Sequence, residues 1–578
     1  MYWSRWAIAY MTMTPNHQLM KSARFLTLLM AAAFSAAAAG QTAHFKYFSY
    51  HGRDARFDKP LDATGQYLNP VRLGFYPDPS VCRVGDNYYL VNSSFSFFPG
   101  VPLSVSKDLV NWKLLGHVLN RPSQLPLDGQ RVSGGIYAPA ISYNRKNKTF
   151  YMITTNVGRG NFYVKSKNPA RGWSEPIYLP KVDGIDPSFF FDDNGKGYIV
   201  HNAPVTGQTE YSGQRAIRLF EFDVKGDSIK GDFKEILRGG THVQKNPIWI
   251  EGPHLFRRGG YYYLMCAEGG TGDWHSEVVL RARQPQGPWE ECPHNPILTQ
   301  RQGLDPDRPE RVTSAGHADL VEDQTGQWWA VFLACRPYEK DFYNTGRDTY
   351  LLPVTWKDGW PMILEKGKAI ATVNDMRGIQ TRLKTVNRQR EDLVSGNFGY
   401  ADGFVADTLD SRWFFLRNPS DFWKLGNEGL AINALPTSVS ERESLSALWV
   451  RQQHTAFTAE TRVDFSPQTD AGLAGFALLQ NEEYNFVFGK TRLDGRTALA
   501  LYRTEKGRTL IASAFVPDKA VKLKIEGRGR YYDFWYAVDG DEAWSLLARG
   551  VDAVNLSTHR SGGFIGACIG LYATTKNQ

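Results

Sequence analysis

Residues 78–91 read DPSVCRVGDNYYLV: an acid and a proline, a short apolar run, a polar turn with glycine, then an aromatic-rich run. The same order returns as APAISYNRKNKTFYMIT from Ala138, DPSFFFDDNGKGYIV from Asp186, EGPHLFRRGGYYYLM from Glu251 and HADLVEDQTGQWWAVF from His317. Two apolar or aromatic runs flanking a polar turn are the signal of a β-hairpin, and its recurrence marks a repeat architecture. The leading residues stand 60, 48, 65 and 66 apart, room for about four strands per unit. A second echo, SKDLVNW to Trp112, SKNPARGW to Trp173 and ARQPQGPW to Trp289, follows the hairpins. Four-stranded units at this spacing predict an all-β fold, a β-propeller of five blades whose first strands line a central channel.

In that geometry Asp78, Ala138, Asp186, Glu251 and His317 converge on one end of the channel. Three carboxylates and an imidazole around one axis cost desolvation and repulsion, so a purely structural channel has no use for them, and acids so perturbed mark functional sites. Cleavage of a glycosidic bond needs one acid to protonate the departing oxygen and one carboxylate on the opposite face of the sugar. A third acid beside the proton donor keeps that donor protonated. The repeat alone does not say which acid takes which part.

The ordered set NPVRLGFYPDPSV, SSFSFFPGVPLSVSKDLVNW, SGGIYAPA, GIDPSFF, IEGPHLF, AEGGTGDWHSE, SAGHADLV and NTGRDTYLLPV resembles glycoside hydrolase family 43, the five-bladed β-xylosidase and α-L-arabinofuranosidase family, and the resemblance runs from about Asn69 to Pro361. The resemblance implies Asp78 as general base, Glu251 as general acid and Asp186 as the acid that tunes and orients Glu251. It also implies inversion at the anomeric carbon, with the two working carboxyls ~6.5–9.5 Å apart to admit a water. His317 matches a channel histidine that ligates calcium through a largely aqueous shell in many members, and its alternative is a hydrogen-bonded channel histidine. A lone imidazole suits a hard cation poorly. Arg347 in TGRDTYL matches an arginine that contacts substrate, with a blade ion pair as its alternative. Phe95 and Tyr137 match aromatic pocket positions, and Tyr137 stands where the family's xylosidases commonly carry tryptophan. Thr271, Trp274 and His275 lie on the loop after the fourth hairpin, at the expected pocket border. No organic cofactor is implied.

The chain has 578 residues, of which 42% are hydrophobic, 22% charged and 13% aromatic. That mixture excludes disorder, collagen and coiled coil, and the aromatic excess suits both strands and stacking on sugar rings. The formal charge of +8 comes without a basic run, which argues against a nucleic-acid footprint. Residues 1–40 hold Lys21 and Arg24, an apolar stretch from Phe25 to Ala39 and a small-residue end, the order of a secretory signal with translation starting at Met20. The expected product is exported, periplasmic or secreted, with no later membrane span. The five cysteines form no CxxC and read as small core residues.

The expected layout is a propeller over residues 45–370, a polar linker over 371–399 and a β-sandwich over 400–578, similar to the family's appended concanavalin-like module. The sandwich carries alternating runs such as TAETRVDF, AGLAGFALL and YYDFWYAVDG. It has no repeated acid pair, so it is expected to support the propeller, with one loop closing the pocket. The expected reaction is exo-acting release of β-D-xylose or α-L-arabinofuranose from xylan fragments or arabinose-bearing glycans. The alternatives are a strict α-L-arabinofuranosidase and a non-catalytic glycan-binding propeller. Fructan hydrolases share the three-acid logic, but their asparagine-aspartate-proline motif has no match.

Overall fold

The computed structural model describes residues 41–62, 65–242, 245–301, 303–376 and 394–577. The expected signal segment and most of the expected linker lie outside the described residues.

Residues from Ser80 to Met362 form five successive antiparallel sheets, opening with Ser80–Val84, Ile136–Asn144, Ile185–Phe191, Glu251–Arg258 and Thr313–Glu322. Each opening strand touches that of the next sheet, and the fifth touches the first, so the sheets surround a common channel as a β-propeller. Second strands such as Thr149–Asn156, Gly197–Ala203 and Trp328–Cys335 are buried along their whole length. Each is covered on both faces by neighbouring sheets, which explains why the aromatic runs are continuous where a half-exposed strand would alternate. Separate apolar clusters fill the gaps, for example Leu103, Ile141 and Phe150 between the first two sheets and Trp329, Val331, Val81 and Leu90 between the last and the first. Polar ties close the ring: Asp319 of the fifth sheet accepts from the Ser80 hydroxyl (2.7 Å) and the Val81 amide (2.9 Å) of the first.

The mouth of the channel is shaped by one recurring irregularity. In sheets two to five the pairing of the first two strands slips by one residue, between Tyr137 and Ala140, Ile185 and Ser188, Glu251 and His254, and Gly316 and Asp319. The extra residue has positive φ in each, namely Ala138 (36°), Asp186 (55°), Gly252 (56°) and His317 (52°), and Asp78 (51°) occupies the corresponding place before the first sheet. Left-handed backbone at non-glycine residues is costly and clusters at functional sites, and bulges re-aim side chains there. This corrects the alignment of the repeat. The fourth anchor is Gly252, and Glu251 sits one residue earlier, equivalent to Tyr137, Ile185 and Gly316. A Cβ on Gly252 would lie 2.9 Å from the His317 ring, so the missing side chain is the space the imidazole fills.

The second half is a β-sandwich. One sheet runs Trp423–Gly426, Gly429–Asn433, Thr42–Gly52, Ala456–Asp464, Val521–Arg528, Tyr531–Val538 and Ser545–Asp552. The other runs Ala447–Arg451, Cys568–Thr574, Leu473–Asn481, Tyr484–Leu493, Arg496–Glu505 and Arg508–Phe515. Their shared core includes Phe45, Phe48, Tyr50, Phe476, Phe488, Ile525 and Leu571. The strand Thr42–Gly52 is a central member of a sandwich sheet, so the lower bound of 45 expected for the propeller is wrong. Alternation in HFKYFSY identifies a strand but not its partners, which lie beyond residue 397. The expected linker likewise begins inside the propeller's entrance, because Val373–Asp375 pairs with Gln66–Leu68.

Arg336, fully buried, joins the parts. It donates to Asp348 (2.8 and 3.0 Å), to Asp54 in the amino-terminal arm (2.8 Å) and to the Gln453 carbonyl in the sandwich (2.9 Å).

Candidate active site

Asp78, Asp186 and Glu251 are all buried at one end of the channel. Asp78 is the most heavily bonded. Arg347 Nη1 donates to its Oδ1 at 2.9 Å, and the Ser93 hydroxyl donates to Oδ2 at 2.5 Å while accepting from the Ala138 amide at 2.7 Å. His317 Nδ1 lies 3.9 Å from Oδ1. Burial pushes the Asp78 carboxyl up, but Arg347, with His317 and Ser93, outweighs it and holds the group below its ordinary value.

The other two acids are pushed the opposite way. Burial, then the negative charge of Asp78, raises Asp186 to about 7, against an amide bond from Gly252 at 3.1 Å. Burial, then Asp186 and Asp78, raises Glu251 well above its ordinary value. One end of the channel thus holds an ionised carboxylate beside a coupled pair that retains a proton near neutral pH. Arg215, held by Asn202 at 2.7 Å, tempers both members of the pair.

The aromatic wall is built from both domains. Phe95 and Tyr137 meet edge to face with ring centres 5.7 Å apart, and Phe564 packs on both, at 6.3 Å and 5.6 Å. Phe564 lies in the sandwich loop 562–567. Arg347 Nη2 donates to its carbonyl at 3.2 Å, and the Ser133 hydroxyl accepts from its amide at 2.9 Å. The loop approaches backbone to backbone, with the Ala567 amide 2.7 Å from the Asn344 carbonyl. A Cβ on Gly566 would stand 2.3 Å from the Thr345 carbonyl oxygen, which only glycine allows.

His275 is buried, with Nδ1 2.9 Å from the Ser314 carbonyl, and burial pushes its pKa down to about 3. Its ring fills the space above Gly316, next to His317 in sequence. Thr271 is half-buried, and Trp274 is 61% exposed with Arg301 over its ring. Neither has a bond to the three acids. His317 is driven by burial to about 4. Among the described residues no three His, Cys, Asp or Glu side chains gather as a metal site. His317, with Asp78 as its near carboxylate, therefore stands outside any cluster of three such side chains of the kind that builds a calcium cage.

Sequence reasoning missed Ser93, Arg215 and Phe564. Ser93 stands within the SSFSFFPG stretch beside Phe95, whereas Arg215 belongs to no motif, and Phe564 is 217 residues from Arg347.

Three buried acids with opposed pKa shifts beside a wall of aromatic rings, set in a propeller channel, define a glycoside hydrolase. The chain belongs to glycosyl hydrolases family 43, whose description matches residues 67–361, and residues 401–578 match the β-xylosidase C-terminal concanavalin A-like domain. It is 37% identical over 517 residues to a xylosidase/arabinosidase of Butyrivibrio fibrisolvens, covering 88% of this chain and 96% of that one. It is 34% identical over 534 residues to the non-reducing end α-L-arabinofuranosidase BoGH43B of Bacteroides ovatus, covering 89% and 92%. Among solved structures, a GH43_12 protein retrieved from capybara gut metagenome superposes with a TM-score of 0.85 at 41% identity, covering 92% of this chain and 99% of that one.

Proposed function

We propose that the protein is an exo-acting, inverting glycosidase that removes β-D-xylose or α-L-arabinofuranose from the non-reducing ends of xylan fragments or arabinose-bearing glycans. The observation that carries this reading is the split between Asp78, held ionised by Arg347, and the pair Asp186 and Glu251, which keeps one proton with Glu251 the more strongly raised.

In this reading Asp78 takes a proton from a water as the water oxygen bonds to the anomeric carbon. Glu251 gives its proton to the departing glycosidic oxygen as the carbon–oxygen bond breaks. Asp186 makes no bond to the sugar carbon, and its charge holds the proton on Glu251. Arg347 fixes Asp78 and the Phe564 carbonyl with its two terminal nitrogens, and its remaining N–H donors face the sugar hydroxyls. Phe95, Tyr137 and Phe564 close one side of the pocket, which favours a chain end over a chain interior. The xylosidase/arabinosidase and α-L-arabinofuranosidase relatives support a pentose glycone of either kind. Residues 1–40 carry the proposal of export, and no step of the reaction is assigned to a calcium ion.

Nitrophenyl β-D-xyloside and nitrophenyl α-L-arabinofuranoside, followed by proton NMR of the first sugar released from xylo-oligosaccharides, test the reading. Turnover of at least one glycoside with inverted product is expected. Turnover of the arabinofuranoside alone narrows the activity to an arabinofuranosidase. A retained configuration, or a glycosyl group trapped on Asp78, overturns the mechanism.

A further inference from the structure

Where the propeller meets the sandwich, a small cleft opens to solvent, lined by Arg72, Tyr76, Tyr400, Arg412 and Arg451 among others. None of its lining residues belongs to the catalytic set. Arg72 and Tyr76 precede the first blade, and Arg412 and Arg451 come from the sandwich.

The Tyr76 ring is flanked by two guanidiniums, Arg72 at 3.9 Å and Arg451 at 4.2 Å from its centre. Arg451 is 8% exposed, also packs against Phe75 and Phe414 (4.5 and 4.8 Å), and donates Nε to the Phe75 carbonyl at 3.0 Å. Among the described residues no carboxylate lies within 4.0 Å of its guanidinium. Arg412, nearer the surface, pairs with Asp410 at 3.0 Å and stacks on Tyr400. Two neighbours register the positive field. Burial would raise the Tyr76 phenol, yet Arg451, Arg72 and Arg412 hold it below its ordinary value. Burial, aided by Arg451 and Arg72, drives His117 down to about 3.

A guanidinium withdrawn from water needs an opposite charge or good hydrogen bonds, and stacking on aromatic faces recovers only part of that cost. Its forked donors match the oxygens of a carboxylate or phosphate. We propose that the cleft is a binding site for a small oxyanion, the phosphate or carboxylate group of a small molecule, with Arg451 and Arg412 as donors. The site is separate from the glycosidase pocket and does not depend on its assignment.

Calorimetric titration of the purified protein with inorganic phosphate at fixed ionic strength tests this, with melting temperature against phosphate as a second readout. Saturable one-site binding is expected, with a melting temperature that rises with phosphate. Arg412→Gln and Arg451→Lys should each weaken binding about tenfold or more by losing charge-assisted hydrogen bonds. Arg412 is partly exposed, so its variant keeps the test open if Arg451→Lys misfolds. A parallel titration with glucuronate separates the two sources, since tighter binding of one names the group that the cleft takes. No saturable binding of either anion, or variants that melt lower yet bind unchanged, would reduce the arginines to a joint between domains and overturn the proposal.

Discussion

Arg347 holds Asp78 Oδ1 at 2.9 Å with one terminal nitrogen and the Phe564 carbonyl at 3.2 Å with the other. A single guanidinium therefore fixes the ionised acid of the propeller to the loop that the sandwich lends to the pocket.

Asp78→Asn and Glu251→Gln are expected to lower kcat by ~100-fold or more, the scale of losing a positioned acid or base. Melting temperature should change little for Glu251→Gln, which keeps the shape of a side chain that already holds its proton, and should fall for Asp78→Asn, which leaves the buried Arg347 without its anion. Near-normal turnover of xylo-oligosaccharides by either variant would refute the roles.

The pH profile of kcat/KM follows from the direction of each shift. The alkaline limb reports loss of the proton that burial and neighbouring charge keep on the Asp186 and Glu251 pair. Asp186→Asn removes one negative charge, so Glu251 should deprotonate earlier and this limb should move to lower pH. The acid limb reports Asp78, which Arg347 holds low, so Arg347→Leu should move that limb to higher pH. Unmoved limbs in both variants would mean that these residues act only by binding sugar.

Phe564→Ala should lower kcat/KM about tenfold or more, chiefly through KM, because it removes a wall and leaves the acids in place. A chain ending at residue 376 should be insoluble and inactive. It lacks Phe564 and uncovers Phe45, Phe48 and Tyr50 on a strand whose sheet is gone. Soluble, active protein from that truncation would show that the domains are independent.

Arg336→Met leaves Asp54 and Asp348 buried without their shared cation, a loss on the order of 3–5 kcal/mol. Urea unfolding followed by tryptophan fluorescence measures it. A change below about 1 kcal/mol, the scale of an exposed pair, would show that water reaches this triad.

The hairpin repeat made the propeller legible, because each anchor, turn and aromatic strand recurs in order. Glu251 was placed one residue off its true equivalence because an acid was matched to acids. The proline after four of the five anchors, Pro79, Pro139, Pro187 and Pro253, follows the backbone and points to Gly252. Such a bulge alters two-residue periodicity by one step, invisible in composition. Phe564 and the partners of Thr42–Gly52 were illegible for another reason. They arise from packing between segments hundreds of residues apart, and a single sequence records no such adjacency.

The hydroxyl of Tyr47 finds its acceptor on Glu460, 413 residues along the chain. At ~5–20 residues per second, a ribosome needs about 20–80 s to make that distance. The strand Thr42–Gly52 therefore waits, with Phe45, Phe48 and Tyr50 unsheltered, while the whole propeller is synthesised. During that interval its free edge can recruit a strand from another nascent copy, so expression yield should respond to elongation speed and to holdase chaperones more than to the stability of the finished fold.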